Sequence, residues 1–313
     1  MADPAIVTAG LTKHYGAIEA LVDLDLEVAR GEVFGFLGPN GAGKTTTIRS
    51  LLNYITPTAG SASVLGMDAV RDSVELRRHL GYMPAEYSMY DKLTGGQFLQ
   101  YFANLRGGVD ASYVASLAER FDADLDRKIS DLSTGNKQKI GLIQAFMNQP
   151  QLLILDEPST GLDPLMQQEL QALIREVQDD GSTVFLSSHT LSEVERVADR
   201  VGILRHGHLV VVERVDELKR KAIRRLDIEF ETDVTEDDFA GVASVRSVMV
   251  RGRHASVTFD GPVRQLLQVI VDRDVLNIHS READLEEIFL AYYRNGSMDD
   301  AAMEAEEVET VAP

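Results

Sequence analysis

One stretch constrains this chain more than any other: "GPNGAGKTT", residues 38–46, which follows the apolar run "EVFGFLG" and precedes a helical pattern. Strand, glycine-rich turn and helix in that order form a unit that holds phosphate. Gly38, Gly41 and Gly43 let backbone N–H groups converge on phosphate oxygens, and the helix start adds its partial positive charge. Lys44 is placed to reach β- and γ-phosphates, and the Thr45 hydroxyl to ligate Mg2+. A chain built on this unit is expected to fold around an open, largely parallel sheet.

The rest of residues 1–213 fits that expectation. Short apolar runs at 32–38, 151–157, 182–188 and 200–207 alternate with helical patterns, the habit of an α/β domain. The first three run directly into polar residues at their C-terminal ends, where open α/β sheets place ligands. Between about 88 and 148 the apolar spacing becomes helical in "TGGQFLQYFANLRG" and "DASYVASLAERFD", which predicts a helical subdomain inserted into the sheet domain.

Two further stretches carry chemistry. "LLILDEP" (152–158) ends a buried strand on Asp156 and Glu157, where unpaired carboxylates are costly. A metal and a water resolve that cost, with Asp156 holding the Mg2+ shell and Glu157 polarising the attacking water. "SSHTLSEVE" (187–195) places His189 just past another strand end, within reach of a γ-phosphate or that water, before a helix that Thr190 or Ser192 is expected to cap.

Composition narrows the partners. Against 31 Lys and Arg stand 50 Asp and Glu, a formal charge of −19, which repels phosphate backbones and argues against nucleic acid. There is no cysteine, so disulfides, thiolate metal sites and cysteine nucleophiles are excluded. The opening "MADPAIVTAGL" lacks the basic start and apolar run of a secretory signal. No apolar run approaches the roughly 20 residues that span a bilayer, so a membrane role is expected to run through another polypeptide.

Taken in order, Tyr15 in "KHYG", the 38–46 loop, "GYMPAE", "LSTGN", "LLILDEP", "STGLDP" and "SSH" closely resemble the nucleotide-binding subunit of ATP-binding cassette (ABC) transporters over roughly residues 5–213. The resemblance implies a P-loop ATPase of ABC type that binds ATP and Mg2+. Tyr15 matches the aromatic that stacks on adenine. Gly38, Asn40, Gly41, Gly43, Lys44, Thr45 and Thr46 match the nucleotide and magnesium loop, Asp156 the second acidic ligand, Glu157 the catalytic base and His189 the switch histidine. Ser133 and Gly135 match the signature loop that holds the γ-phosphate of ATP on the opposite subunit, and Asp163 the loop that communicates across the dimer. The implied partners are a second copy of the chain and a separate transmembrane permease, placing the protein peripherally on the cytoplasmic face of the membrane. A cassette ATPase acting with soluble partners is the alternative.

Two departures from the family pattern stand out. The usual Leu-Ser-Gly-Gly-Gln loop here has Thr134 and Asn136, and the expectation is that it still grips phosphate, with Asn136 offering the shorter amide. The family's magnesium-contacting glutamine is replaced by Ala85. The adjacent Glu86 is then a candidate ligand to Mg2+, or a solvated acid.

After the charged segment "VERVDELKRKAIRR" (212–225), expected as a linking helix, the period becomes alternating in "LDIEFET", with Leu226, Ile228 and Phe230 on one face. The order strand, helix, strand, strand, helix, strand predicts a small α+β, split βαβ (ferredoxin-like) domain over 214–295. It closes on a helix in "ADLEEIFLAYYR" and resembles the accessory domain of bacterial exporter subunits for drugs, antibiotics, lipids or ions. Residues 296–313, acidic and lacking a core stripe, are expected to be disordered.

Overall fold

The computed structural model describes residues 3–86, 88–221, 224–259 and 263–281. The chain divides into two compact units between Glu213 and Arg214. The first begins with β1 (Ile6–Tyr15), β2 (Ile18–Val28) and β3 (Val33–Leu37), then α1 (Lys44–Leu51), β4 (Ala59–Val64), β5 (Met67–Asp68) and the short α2 (Ser73–Leu76). Strand β6 (Leu80–Met83) leads into α3 (Gly95–Leu105), α4 (Ala111–Arg120) and α5 (Thr134–Phe146). The unit continues through β7 (Leu152–Asp156), α6 (Pro164–Asp179), β8 (Thr183–Ser188), α7 (Leu191–Val194), β9 (Arg200–Arg205) and β10 (His208–Arg214).

Six strands form the main sheet in the order β10-β9-β3-β8-β7-β6. The pairs β9/β3, β3/β8, β8/β7 and β7/β6 are parallel. Every residue of β3, β7 and β8 is buried, as strands covered on both faces require, and hence their continuous apolar runs. Phe34 stacks on Phe185 and Phe36 meets the same ring at a tilt, across β3 and β8, each such side chain contributing roughly 1.5–3 kcal/mol by burial.

A second sheet, β2-β1-β4-β5, is antiparallel. In β2, Leu24, Leu26 and Val28 face inward while Asp23, Asp25 and Glu27 face solvent, the alternation of a sheet with one wet face. Leu24 and Leu26 share a core with Phe36 and Ile154 of the main sheet, so the two sheets clasp the loop that leaves β3. The helical region is fixed by its caps: Thr94 and Gln97 form a reciprocal capping box on α3, and Asp110 caps α4.

The second unit holds α8 (Val215–Lys221), β11 (Arg224–Phe230), a 3-10 turn at Glu236–Phe239, β12 (Val245–Arg251), β13 (His254–Phe259), α9 (Arg264–Val271) and β14 (Val275–Arg281). Its strands pair antiparallel in the order β12-β13-β11-β14, the split βαβ arrangement. Leu226, Ile228 and Phe230 pack with Leu266 and Ile270 of α9. The charged helix is shorter than 212–225, because β10 continues to Arg214 and β11 begins at Arg224. The helix expected in "TEDDFAGVA" is a single 3-10 turn, closed by a capping box between Thr235 and Asp238. The "ADLEEIFLAYYR" segment and the acidic tail lie outside the described residues.

Candidate functional site

Because β3, β8 and β7 are parallel neighbours, their C-terminal ends deliver the 38–43 loop, Ser187 to His189, and Asp156 with Glu157 to one edge of the sheet. The loop after β3 has glycine where nothing larger fits. A Cβ on Gly38 would lie 2.6 Å from the Leu204 carbonyl oxygen. Gly43 has φ +111°, and a Cβ there would lie 2.5 Å from the Ala20 carbonyl oxygen, so the hairpin bearing Tyr15 passes directly over the loop. Asn40 and Gly41 are exposed at its tip. No side chain caps α1 and no acid occupies its first turn, which leaves the helix start open to an anion.

Lys44 opens α1 and is 5 % exposed. Its ammonium donates to the carbonyls of Gly38 at 2.5 Å and Pro39 at 3.3 Å and stands 3.1 Å from Glu157 Oε1. That last contact is an ion pair; Glu157 Oε1 is buried and accepts no hydrogen bond. Asp156, fully buried, accepts from Ser187 Oγ at 2.5 Å and Thr45 Oγ1 at 3.0 Å. Burial pushes its carboxyl above the ordinary range; the Ser187 and Thr45 hydroxyls pull it down, the Glu157 charge adds to the rise and Lys44 opposes it. A hydroxyl and a carboxylate held side by side suit a hard cation that keeps waters and phosphate oxygens as its other ligands, so Thr45 and Asp156 fit Mg2+. Thr46 is half-buried in the same first turn of α1.

Glu157 has φ +52°, a left-handed conformation rare for a side-chain-bearing residue. Its N–H donates toward the Ser187 carbonyl and hydroxyl, each at 3.2 Å. Its Oε2 lies 2.6 Å from His189 Nδ1. The helix after His189 is not capped as expected. Thr190 holds the N-cap position without a side-chain bond; Ser188 Oγ instead accepts from Thr190 N and donates to Glu193, both at 3.0 Å.

The remaining candidates lie elsewhere. Tyr15 ends β1, is 45 % exposed, and has the Lys13 ammonium 5.1 Å from its ring centroid. Ser133 caps α5, its hydroxyl accepting from Asn136 N at 3.2 Å. A Cβ on Gly135 would lie 2.9 Å from the Gly161 carbonyl oxygen. Ser133, Gly135, Gly161 and Asp163 line a cleft of about 590 Å3 to which Lys44, Thr45, Asp156, Glu157 and His189 contribute nothing. Asp163 caps α6 by accepting from Leu165 N and Met166 N. Glu86 is exposed and bonded to neither Thr45 nor Asp156. Among the described residues no three His, Asp or Glu side chains cluster to hold a metal.

Asn136 also lines this cleft, but its amide is hydrogen-bonded to a neighbouring turn. Its Oδ1 accepts from Asp124 N at 2.9 Å and its Nδ2 donates to Asp124 O at 3.0 Å, so both ends are committed to the 122–127 turn. Ser187 has a role that its place at a strand end does not announce: it touches both Asp156 and Glu157. A serine inside an apolar run is the available signal, since a buried hydroxyl needs a partner.

Comparison with known proteins places this geometry. A family model described as "ABC transporter" matches residues 21–160. The bacitracin transport ATP-binding protein BcrA of Enterococcus faecalis is 38% identical over 219 residues, 69% of this chain and 71% of that protein. The daunorubicin/doxorubicin resistance ATP-binding protein DrrA of Streptomyces peucetius is 32% identical over 324 residues, 98% of each chain. A solved ATP-binding subunit of an ABC transporter is similar with TM-score 0.64 and 32% identity, covering 69% of this chain and 92% of that one. A dimeric ATP-binding cassette in a post-hydrolysis state with ADP and Pi shares the fold at TM-score 0.62 and 20% identity, covering 67% of this chain and 98% of that one. Aligned with one relative from end to end, and carrying the phosphate loop in its strand–turn–helix setting, the chain belongs to the ABC transporter family, as an ATP-binding subunit with ATPase activity.

Proposed function

We propose that this ATPase works as a head-to-tail homodimer that energises a separate transmembrane permease, in an export system for a drug or antibiotic. One observation carries the reading: the residues divide into a hydrolytic group around Lys44 and Glu157 and a cleft around Ser133 and Gly135 to which that group contributes nothing. A nucleotide held by the first group in one copy meets the cleft of a second, so each site needs both copies. Tyr15 stacks on the base, the 38–46 loop and the start of α1 bind the phosphates, and Lys44 turns from its own carbonyls to the β- and γ-phosphates.

Hydrolysis then proceeds by in-line displacement. Glu157 Oε2 takes a proton from water while the water oxygen bonds to the γ-phosphorus. The bond from that phosphorus to the β,γ-bridging oxygen breaks, and ADP leaves with the electron pair. His189, hydrogen-bonded to the same carboxylate oxygen, orients the base and contacts the γ-phosphate. Thr45 and Asp156 would hold Mg2+, which supplies charge neutralisation on the phosphates. Glu86 stands outside this arrangement and serves it only if its loop moves.

The relatives named for bacitracin transport and for daunorubicin/doxorubicin resistance support a cargo of drug or antibiotic class. The same relatives, named as ATP-binding proteins of transport and resistance systems, support peripheral attachment at the cytoplasmic face through the permease; no helix among the described residues is long and apolar enough to cross a membrane. The helical region offers half-exposed Tyr90 and Tyr101, packed edge to face, the residue type enriched at interface centres. The test is capture: tagged Glu157→Gln protein, trapped with ATP and Mg2+, is incubated with detergent-solubilised membranes. Recovery of a polytopic membrane protein in near-equal amount is expected. Recovery of soluble partners alone would overturn the transport reading in favour of a cassette ATPase outside transport.

A further inference from the structure

We infer that Gln138 is a positioning residue for hydrolysis, linking the helix that begins at the Ser133 cleft to the backbone of Glu157. The inference rests on the reading of Glu157 as base. Gln138 lies on α5, one turn beyond Ser133 and Gly135, and is 4 % exposed. Its Nε2 donates to the carbonyl of Pro158 at 2.9 Å, a bond buried from water. Pro158 directly follows Glu157.

Glu157 needs such a hold. Its φ of +52° is sterically costly, and the residue before a proline is ordinarily confined to extended conformations. A strained residue of this kind persists only where its surroundings over-determine it. On its N-terminal side the Glu157 N–H is tied to Ser187. On its C-terminal side the tie that leaves the local loop is the Gln138 amide, the other being the short-range bond from Thr160 N to Glu157 O at 3.2 Å. The peptide carrying the base is thus clamped between β8 and α5.

The consequence concerns timing. The same helix carries Ser133 at its N-terminus and Gln138 within its second turn, so a displacement of α5 when the cleft fills is transmitted to the peptide that sets the Glu157 carboxylate. Chemistry is sensitive to this, since a misplacement of about 1 Å costs up to about 100-fold in rate. Binding of ATP to the 38–46 loop does not pass through Gln138.

The experiment is steady-state ATPase of the full chain for native protein, Gln138→Met, Gln138→Asn and Glu157→Gln. Turnover is expressed per nucleotide-binding site, counted with a fluorescent ATP analogue, so that loss of folded protein does not register. Met keeps the length and burial but has no donor; Asn keeps the amide one methylene short of Pro158. The expected result is kcat per site lowered about ten-fold or more in both variants with KM for ATP within about two-fold of native. Native kcat per site in either variant would overturn the inference. If Gln138→Met binds no nucleotide, Gln138→Asn decides alone by the same criterion. The two readings fail differently: normal turnover by Glu157→Gln removes the base itself, whereas inactive Glu157→Gln beside fully active Gln138 variants removes only the positioning role.

Discussion

His189 Nδ1 lies 2.6 Å from Glu157 Oε2 while Lys44 faces the other oxygen of that carboxylate at 3.1 Å. One side chain therefore bridges Lys44 at the start of α1 and the residue past β8. Groups that act as a unit lose activity non-additively. Glu157→Gln is expected to lower turnover by about 100-fold or more and His189→Ala by a comparable factor, while the double variant falls no further than Glu157→Gln alone. Single-turnover ATPase measurements across the four proteins check this. Multiplied losses in the double variant would show that the two side chains act independently.

Tyr15 offers a cleaner separation, since it has no bond to the catalytic edge. Base–aromatic stacking is worth roughly 1–3 kcal/mol, so Tyr15→Ala is expected to raise KM for ATP about ten-fold with kcat unchanged. Tyr15→Trp, which keeps a ring at the end of β1, is expected to stay near native. A fall in kcat with unchanged KM would make Tyr15 a packing residue of the hairpin.

What the sequence disclosed follows the range of the interactions involved. The 38–46 loop was legible because its strand, turn and helix are consecutive and its glycines answer local demands. The largely parallel character of the main sheet was legible for a similar reason, since each buried strand reads as a continuous apolar run. The antiparallel sheet was not foreseen, because β1 finds its partner at long range, with Ile6 opposite Val64, and β5 is only two residues long. Nor was the direction of the Asn136 amide, since its partners are backbone atoms of Asp124 and backbone atoms leave no mark in a sequence. The same holds for Gln138 and the Pro158 carbonyl.

A pH effect on stability is expected from Glu32, at the entrance to β3. Its Oε1 accepts from Ala29 N at 2.7 Å and pairs with Arg200 at 3.1 Å. Burial nevertheless outweighs both and lifts its carboxyl above the ordinary value of 4.5, with Asp199 adding to the rise. A carboxyl raised on folding contributes stability that is fully present below its unfolded value and is lost as pH climbs through the folded value. Glu32→Gln stays neutral throughout, so its Tm relative to native is expected to rise as pH climbs from the ordinary value of 4.5 through the raised folded one. Thermal melts at a series of pH values measure this. A relative Tm that falls over that interval would mean the Arg200 pair governs the site.

Asn136 satisfies both the N–H and the C=O of Asp124 and so fixes the turn beginning at Asp122, itself at φ +47°, which forms one wall of the Ser133 cleft. Asn136→Ala leaves those backbone groups without their partner and loosens the wall, yet touches nothing at the 38–46 loop. In a Glu157→Gln background, where ATP is held unhydrolysed, Asn136→Ala is therefore expected to lose most of the ATP-driven dimer by light scattering while binding a fluorescent ATP analogue as tightly as its parent. Asn136→Gln is the decisive companion. It restores the family's usual residue, but its extra methylene carries the amide away from Asp124, so it is expected to resemble the alanine variant. A Gln variant that dimerised better than its parent would show instead that this amide serves the nucleotide rather than the turn.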